Sequence, residues 1–317
     1  MRISVLGCGR WGSFIAWYLE RMGHEIMLYG RENSANLSKL ASSRQNGLLT
    51  LGAGIKLTAS LEEALFAEVL VISIGAQNLR QLMSEIAKLS PSLERLVLCM
   101  KGLEIGTGKR LSQIAGEYLN KAKIAVWLGP GHVQEFLSGT PNCMVIDSED
   151  YSLKEELIGA FSSDLIRFYY GRDIIGNEVG AAAKNVIGIA AGILDGLGLH
   201  TLKGALTSRG THEISRLILA MGGNALSAYG LCHLGDYGAT VFSPFSHNRR
   251  FGEAFAMGEQ YTKLAEGAYT VKALMTLSSQ YNVELPICSA VNDALYNGVD
   301  SSEAVERLFA RHLKSEF

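Results

Sequence analysis

The sequence predicts an α/β chain: a doubly wound sheet over residues 1–173, followed by an all-α domain over residues 174–317. Three observations carry this. Short β-branched apolar runs alternate with amphipathic helical stretches through the first half. A glycine-rich turn joins the first such strand to the first such helix. From about Arg172 the strand runs stop and helical patterns take over.

The bulk composition bounds the rest. A chain of 317 residues is long enough for two cores, and 48% hydrophobic content with 5 prolines describes a folded protein. The formal net charge is only -2, so no long-range field draws the chain to nucleic acid or an anionic membrane. Five cysteines, odd in number and without metal spacing, read as reduced and mostly buried thiols. The start methionine runs directly into a strand-like stretch, which leaves no room for a signal peptide and points to a cytoplasmic protein. The apolar stretch "NVIGIAAGILDGLGL" is interrupted by Asp195 and reads as too short for a membrane span, hence as a buried helix.

Ile3 to Leu6 is the first buried strand, and Gly7, Gly9 and Gly12 then spell GxGxxG. "SFIAWYLERMG" follows with helical periodicity, and Glu25 to Tyr29 forms a second strand. The unit is a βαβ fingerprint of the Rossmann type, and each glycine has its own task. Gly7 permits the tight turn, Gly9 lets a pyrophosphate approach the backbone, and Gly12 lets the helix pack on the strand. Beyond the second strand stands Arg31, suited to a ribose 2′-phosphate, and Arg10 adds a cation inside the glycine loop. The lean is toward NADP(H), while Glu32 keeps NAD open.

"EVLVISIG", "RLVLCMKG", "KIAVWLGPG", "NCMVIDS" and "DLIRFYYG" read as further strands, with "AQNLRQLMSEIAKL" a helix. Two strand ends stand out. Lys101 sits at one, either as a side chain snorkelling to solvent or as a substrate contact. Gly129, Pro130 and Gly131 mark the other.

In the second half, "GNEVGAAAKNVIGIAAGILDGLG" is apolar on nearly every face, the pattern of a core helix. Lys184 within it is either a lysine reaching solvent or a buried cation suited to acid–base work. Farther on, "SPFSHNRRFG" gathers Ser246, His247, Asn248, Arg249 and Arg250 ahead of a helix-like run. Such a charge run is commonly a solvated face. The mixture of hydroxyl, amide and cation before a helix start also fits an anion site.

These residues together resemble a known family. "VLGCGRWG", "CMKGLE", "GPGHVQEF", "EVGAAAKNVIGIAAGILDGLGL", "GALTSRGTHEISRL", "GLCHLGD", "SHNRRFG" and "VELPI" occur in the order seen in NAD(P)-dependent glycerol-3-phosphate dehydrogenases. The resemblance spans nearly the whole chain. It implies interconversion of dihydroxyacetone phosphate and sn-glycerol 3-phosphate, supplying glycerophospholipid precursor. By position it implies that Lys184 is the catalytic lysine, that Lys101 is a second one contacting substrate and cofactor, and that Asp236 supports catalysis. It places Gly129, Gly131, Asn185, Asp236, Thr240, Ser246, His247, Asn248 and Arg249 around the substrate. On the cofactor it places Arg10, Trp11, Arg31, Val133, His247 and Glu266 with the glycine loop.

The chain departs from the family pattern at four places. His247 replaces an arginine that grips phosphate, and Gly131 replaces a serine. "SIGAQ", residues 73–77, replaces a VPS loop, and the segment between Gly258 and Glu266 is several residues short. An imidazole offers at most two N–H donors and is charged only below about pH 6.5, so the phosphate grip is expected to weaken above neutrality unless Arg249 or Arg250 substitutes.

Two other readings compete: a related dehydrogenase acting on another small oxo-acid or sugar phosphate, and a non-catalytic dinucleotide sensor. Lys101, Lys184 and Asp236 together argue against the sensor. No GxSxG elbow supports a hydrolase. His24, His132, His200, His212, His233 and His312 lack metal spacing and read as surface or satisfied core residues, so no metal is expected. The apolar helical half suggests a homodimer, with a small phosphorylated substrate as the other partner.

Overall fold

The first half of the chain supplies strands β1 (Arg2–Leu6), β2 (Glu25–Tyr29), β3 (Lys56–Thr58), β4 (Val69–Ile72), β5 (Arg95–Leu98), β6 (Lys123–Leu128), β7 (Asn142–Ser148) and β8 (Ile166–Tyr170). Interleaved with them are helices α1 (Arg10–Arg21), α2 (Ala35–Ser43), α3 (Leu61–Ala64), α4 (Leu79–Leu89), α5 (Leu111–Tyr118), α6 (Val133–Leu137) and α7 (Tyr151–Phe161). The structure is a computed structural model that describes residues 1–89, 93–312 and 316. It divides into two units, Met1–Lys101 with Arg110–Ile174, and Gly102–Lys109 with the chain from Ile175 onward.

The sheet runs in the order β3-β2-β1-β4-β5-β6-β7-β8. The first six strands in that order are parallel, β7 is antiparallel to β6, and β8 is parallel to β7. The winding reverses between β1 and β4, and ligands of such sheets bind at the carboxyl ends of the strands beside that switch. Every residue of β4, and all but the first of β1, is buried, as a strand covered on both faces requires. The short β3 escapes the sequence pattern because only Thr58 of its three residues is buried. Beneath the sheet, Phe14 of α1 stacks on Phe136 of α6 with centroids 5.1 Å apart. That pair contributes about 1 kcal/mol beyond its buried area and pins the helix that follows the glycine turn.

The second unit holds α8 (Ile174–Gly196, its first residue counted with the first unit), α9 (Leu202–Ala220), α10 (His247–Ala256), α11 (Glu266–Tyr281), α12 (Pro286–Tyr296) and α13 (Ser301–Phe309). Val179, Ala182, Ala183, Val186, Ile187 and Ile189 are all fully buried, so α8 is the axis of the helical core. At 23 residues α8 is long and apolar enough to cross a membrane, which corrects the expectation that this stretch is too short. It is nonetheless a core helix, with 89% of its apolar window inside the protein.

Helix α10 crosses α8 at backbone contact. A Cβ on Gly192 would lie 1.9 Å from the Arg249 carbonyl oxygen, and one on Gly252 would lie 2.1 Å from that of Ile189. Glycine on both helices is what brings the "SHNRRFG" segment down onto α8.

Candidate active site

The glycine loop follows β1. Gly7 has φ +118°, and a Cβ there would sit 2.1 Å from the Ser73 carbonyl oxygen, so only glycine fits. A Cβ on Gly12 would lie 1.8 Å from the Gly7 oxygen, so this glycine sets how closely α1 approaches the turn. Gly9 caps α1 without a side-chain bond, and nothing lies within 4 Å of where its Cβ would be. That open space beside a helix N-terminus fits a pyrophosphate, attracted by the helix dipole and its first N–H groups. Arg10 is exposed at the helix start, Trp11 is half-buried against Phe14, and Arg31 and Glu32 are exposed just past β2.

Gly12→Ala is expected to weaken NADPH binding by about 10- to 100-fold, the equivalent of the ~1–3 kcal/mol that overpacking costs. Fluorescence titration of the cofactor measures this, and an unchanged Kd would remove the loop from the cofactor site.

Lys101 lies three residues beyond β5 and is half-buried; its Nζ donates to the Gly129 carbonyl oxygen at 2.6 Å, across the ends of β5 and β6. The snorkelling alternative therefore gives way to a lysine held at the carboxyl edge of the sheet. Gly131 has φ +138°, and a Cβ there would fall 2.3 Å from the ring of Phe136. A serine in this backbone would displace that ring from its stack on Phe14, which accounts for the glycine. Val133 is buried and opens α6.

The second unit gathers the other candidates. Lys184 is 7% exposed, and its Nζ lies 3.0 Å from Asp236 Oδ2 and donates to Thr240 Oγ1 at 2.6 Å. Asp236 ends a single 3-10 turn (Leu234–Asp236), Thr240 lies within a π turn (Gly238–Phe242), and both are 1% exposed. A buried ammonium is tolerated when it is paired and hydrogen-bonded, and this one is both. Beneath Asp236, His233 contacts the Gly180 carbonyl oxygen through Nδ1 at 2.8 Å and Tyr237 Oη through Nε2 at 2.7 Å. Burial depresses the His233 pKa to about 4, so the ring is neutral, and burial also raises that of the Tyr237 hydroxyl.

Helix α10 divides the cluster that reads as one in the sequence. Ser246 is its N-cap and accepts from the Arg249 N–H at 3.2 Å. Asn248 donates through Nδ2 to Asn185 Oδ1 at 3.0 Å and accepts from the Gly267 N–H at 2.9 Å, tying α8, α10 and α11 together beside Lys184. His247 Nδ1 lies 2.5 Å from the hydroxyl of Tyr261.

Arg249 is held by neighbours in its own unit. Its guanidinium contacts Asp195 at 2.7 Å and Glu253 at 3.1 Å, and donates to the Ser243 carbonyl oxygen at 3.2 Å. Asp195 also holds Lys203 and His200. Arg249 is therefore a tie between α10 and α8. Arg250 is exposed, and Glu266 begins α11, where its charge suits the helix dipole. Among the described residues, no three His, Cys, Asp or Glu side chains gather as a metal site.

With both sets of residues in place, the comparisons with known proteins identify the family. The N-terminal model of NAD-dependent glycerol-3-phosphate dehydrogenase matches residues 2–154, and its C-terminal model matches residues 173–306. A glycerol-3-phosphate dehydrogenase [NAD(P)+] of Azorhizobium caulinodans is 37% identical over 99% of this chain and 98% of its own. The chain belongs to the glycerol-3-phosphate dehydrogenase family. A relative of the same name from Rhodospirillum rubrum is 35% identical over 99% of the chain and 93% of its own. The crystal structure of the Coxiella burnetii glycerol-3-phosphate dehydrogenase superposes with a TM-score of 0.92 at 27% identity, covering 98% of this chain and 99% of that one. The family assignment makes this chain an NAD(P)-dependent oxidoreductase.

Two features of the helical unit are absent from the sequence reading. Tyr261 lies in the shortened segment before Glu266, and that irregular length was its only signal. His233 with Tyr237 forms a buried pair whose four-residue spacing in an irregular stretch carries no periodic signature.

Proposed function

We propose that this chain interconverts dihydroxyacetone phosphate and sn-glycerol 3-phosphate through the Lys184–Asp236–Thr240 constellation. The observation that carries this reading is the buried Lys184 ammonium, held at once by Asp236 and Thr240. The glycine loop would hold the dinucleotide, whose nicotinamide would supply the hydride chemistry. As the carbonyl π electrons move onto oxygen, Lys184 Nζ hydrogen-bonds that oxygen and then gives it a proton; oxidation runs the same steps backward. Asp236 offsets the desolvation of Lys184 and, with Thr240, holds its Nζ in one place.

Lys101 is assigned to the substrate and nicotinamide side, with Gly129 and Gly131 at the neighbouring strand end. Asn185 and Asn248 orient the substrate, and Ser246 with His247 faces its phosphate. The glycine loop, Arg10, Trp11, Val133 and Glu266 belong to the cofactor, and Arg31 with Arg10 gives the preference for NADPH. The reading extends to a cytoplasmic homodimer that supplies glycerophospholipid precursor.

The test is cofactor oxidation with dihydroxyacetone phosphate and either NADPH or NADH. Saturable turnover with a lower KM for NADPH is the expected result. Tight cofactor binding without turnover would assign the site to another oxo substrate.

A further inference from the structure

We propose that Tyr261 is a positioning residue for the phosphate subsite, fixing the His247 imidazole so that Nε2–H is its donor to a substrate phosphate oxygen. The proposal rests on the reading that residue 247 faces the phosphate.

The geometry begins with helix periodicity. His247, Arg250 and Phe251 are spaced i, i+3 and i+4, so they share one face of α10, whereas Arg249 turns to Asp195. Tyr261 lies against that shared face. Its ring meets Phe251 edge-on at 6.2 Å, and the Arg250 guanidinium sits 5.9 Å above it. These contacts hold the ring, and the hydroxyl reaches His247 Nδ1 at 2.5 Å.

A neutral imidazole carries one N–H, and which nitrogen carries it depends on the partner of the other. A phenolic hydroxyl donating to Nδ1 forces the proton onto Nε2. The same hydroxyl can instead accept from Nδ1 when the ring is an imidazolium, so Nε2 is a donor in both charge states. An arginine at this position would need no such partner, because every nitrogen of a guanidinium donates. The tyrosine hydroxyl therefore has a use beside histidine at position 247 that it would not have beside arginine.

Tyr261→Phe removes the hydroxyl and keeps the ring against Phe251 and Arg250. It is expected to raise KM for dihydroxyacetone phosphate about 3- to 10-fold, the effect of one lost hydrogen bond. The KM for dihydroxyacetone phosphate should rise by a larger factor than kcat falls, the split expected of a residue that positions a binding group. In a His247→Arg background the same substitution should leave KM unchanged. An equal rise in both backgrounds, or none in the native one, overturns the proposal.

His247→Ala separates the two layers of the argument. If it raises KM while Tyr261→Phe does not, only the role of Tyr261 fails. If His247→Ala itself leaves KM unchanged, the phosphate reading of residue 247 fails and the proposal falls with it. Imidazole 15N shifts of the unsubstituted protein at alkaline pH give a second measurement that needs no variant at position 261. They should report the Nε2-protonated tautomer for His247, and the Nδ1-protonated tautomer would overturn the proposal.

Discussion

Replacing Lys184 with methionine is expected to lower kcat by about 10²- to 10⁴-fold, the usual contribution of a positioned general acid, with NADPH affinity unchanged. Gly7 and Gly12 of the glycine loop lie in the first unit, whereas Lys184 is in the second. The substitution also has a stability effect that must be separated from chemistry. Asp236 is 1% exposed and would lose its cation, and breaking a buried pair by removing one partner costs about 3–5 kcal/mol. Adding Asp236→Asn neutralises the stranded charge and is expected to restore most of that stability. The double variant should unfold in urea close to the parent and remain inactive. A Lys184→Met enzyme that keeps more than about a tenth of the parent kcat would refute the lysine's role as proton donor.

The sequence carried most clearly what local geometry demands. Gly7 and Gly12 are legible because a tight turn and a helix packed on a strand leave no room for a side chain, and both requirements fall within a dozen residues. Lys184 could be singled out because a cation in an all-round apolar helix needs an explanation. Its partners could not be read the same way. Thr240 is 56 residues downstream in a π turn and Asp236 in a 3-10 turn, and neither turn has an apolar period to announce it. Only resemblance to a family placed them.

At Arg249, sequence adjacency is not spatial adjacency on a helix. Consecutive residues are about 100° apart, so His247 and Arg250 share a face while Arg249 points to Asp195 and Glu253. Residues 102–109 show a similar limit. Leu103 is buried in the helical core, and Gly102–Lys109 belongs to the second unit although it interrupts the first in sequence. No composition shift marks that excursion.

Acid is expected to destabilise the fold through His233, by up to about 3 kcal/mol between pH 6.5 and about 4. A carbonyl oxygen can only accept, so Nδ1–H donates to Gly180 and the neutral ring's Nε2 accepts from Tyr237. Burial, the main cause, lowers the folded pKa to about 4, whereas an unfolded histidine titrates near 6.5. Within that window the unfolded chain binds the proton and the folded chain does not. Stability is therefore complete above about 6.5, falls as pH drops through the window, and levels off below about 4. Glu213 acts in the opposite sense, because burial raises its carboxyl and the folded state gains from its protonation as pH falls. His233→Asn isolates the histidine: its baseline stability will differ, but its free energy of unfolding should lose most of the slope across the window. Urea unfolding of both proteins from pH 4 to 7.5 measures this, and parallel curves would sink the assignment. The activity consequence follows from position. Protonation would put a buried charge at the base of the turns that present Asp236 and Thr240 to Lys184. Loss of turnover in acid should therefore set in before global unfolding in the parent, and shift to lower pH in folded His233→Asn.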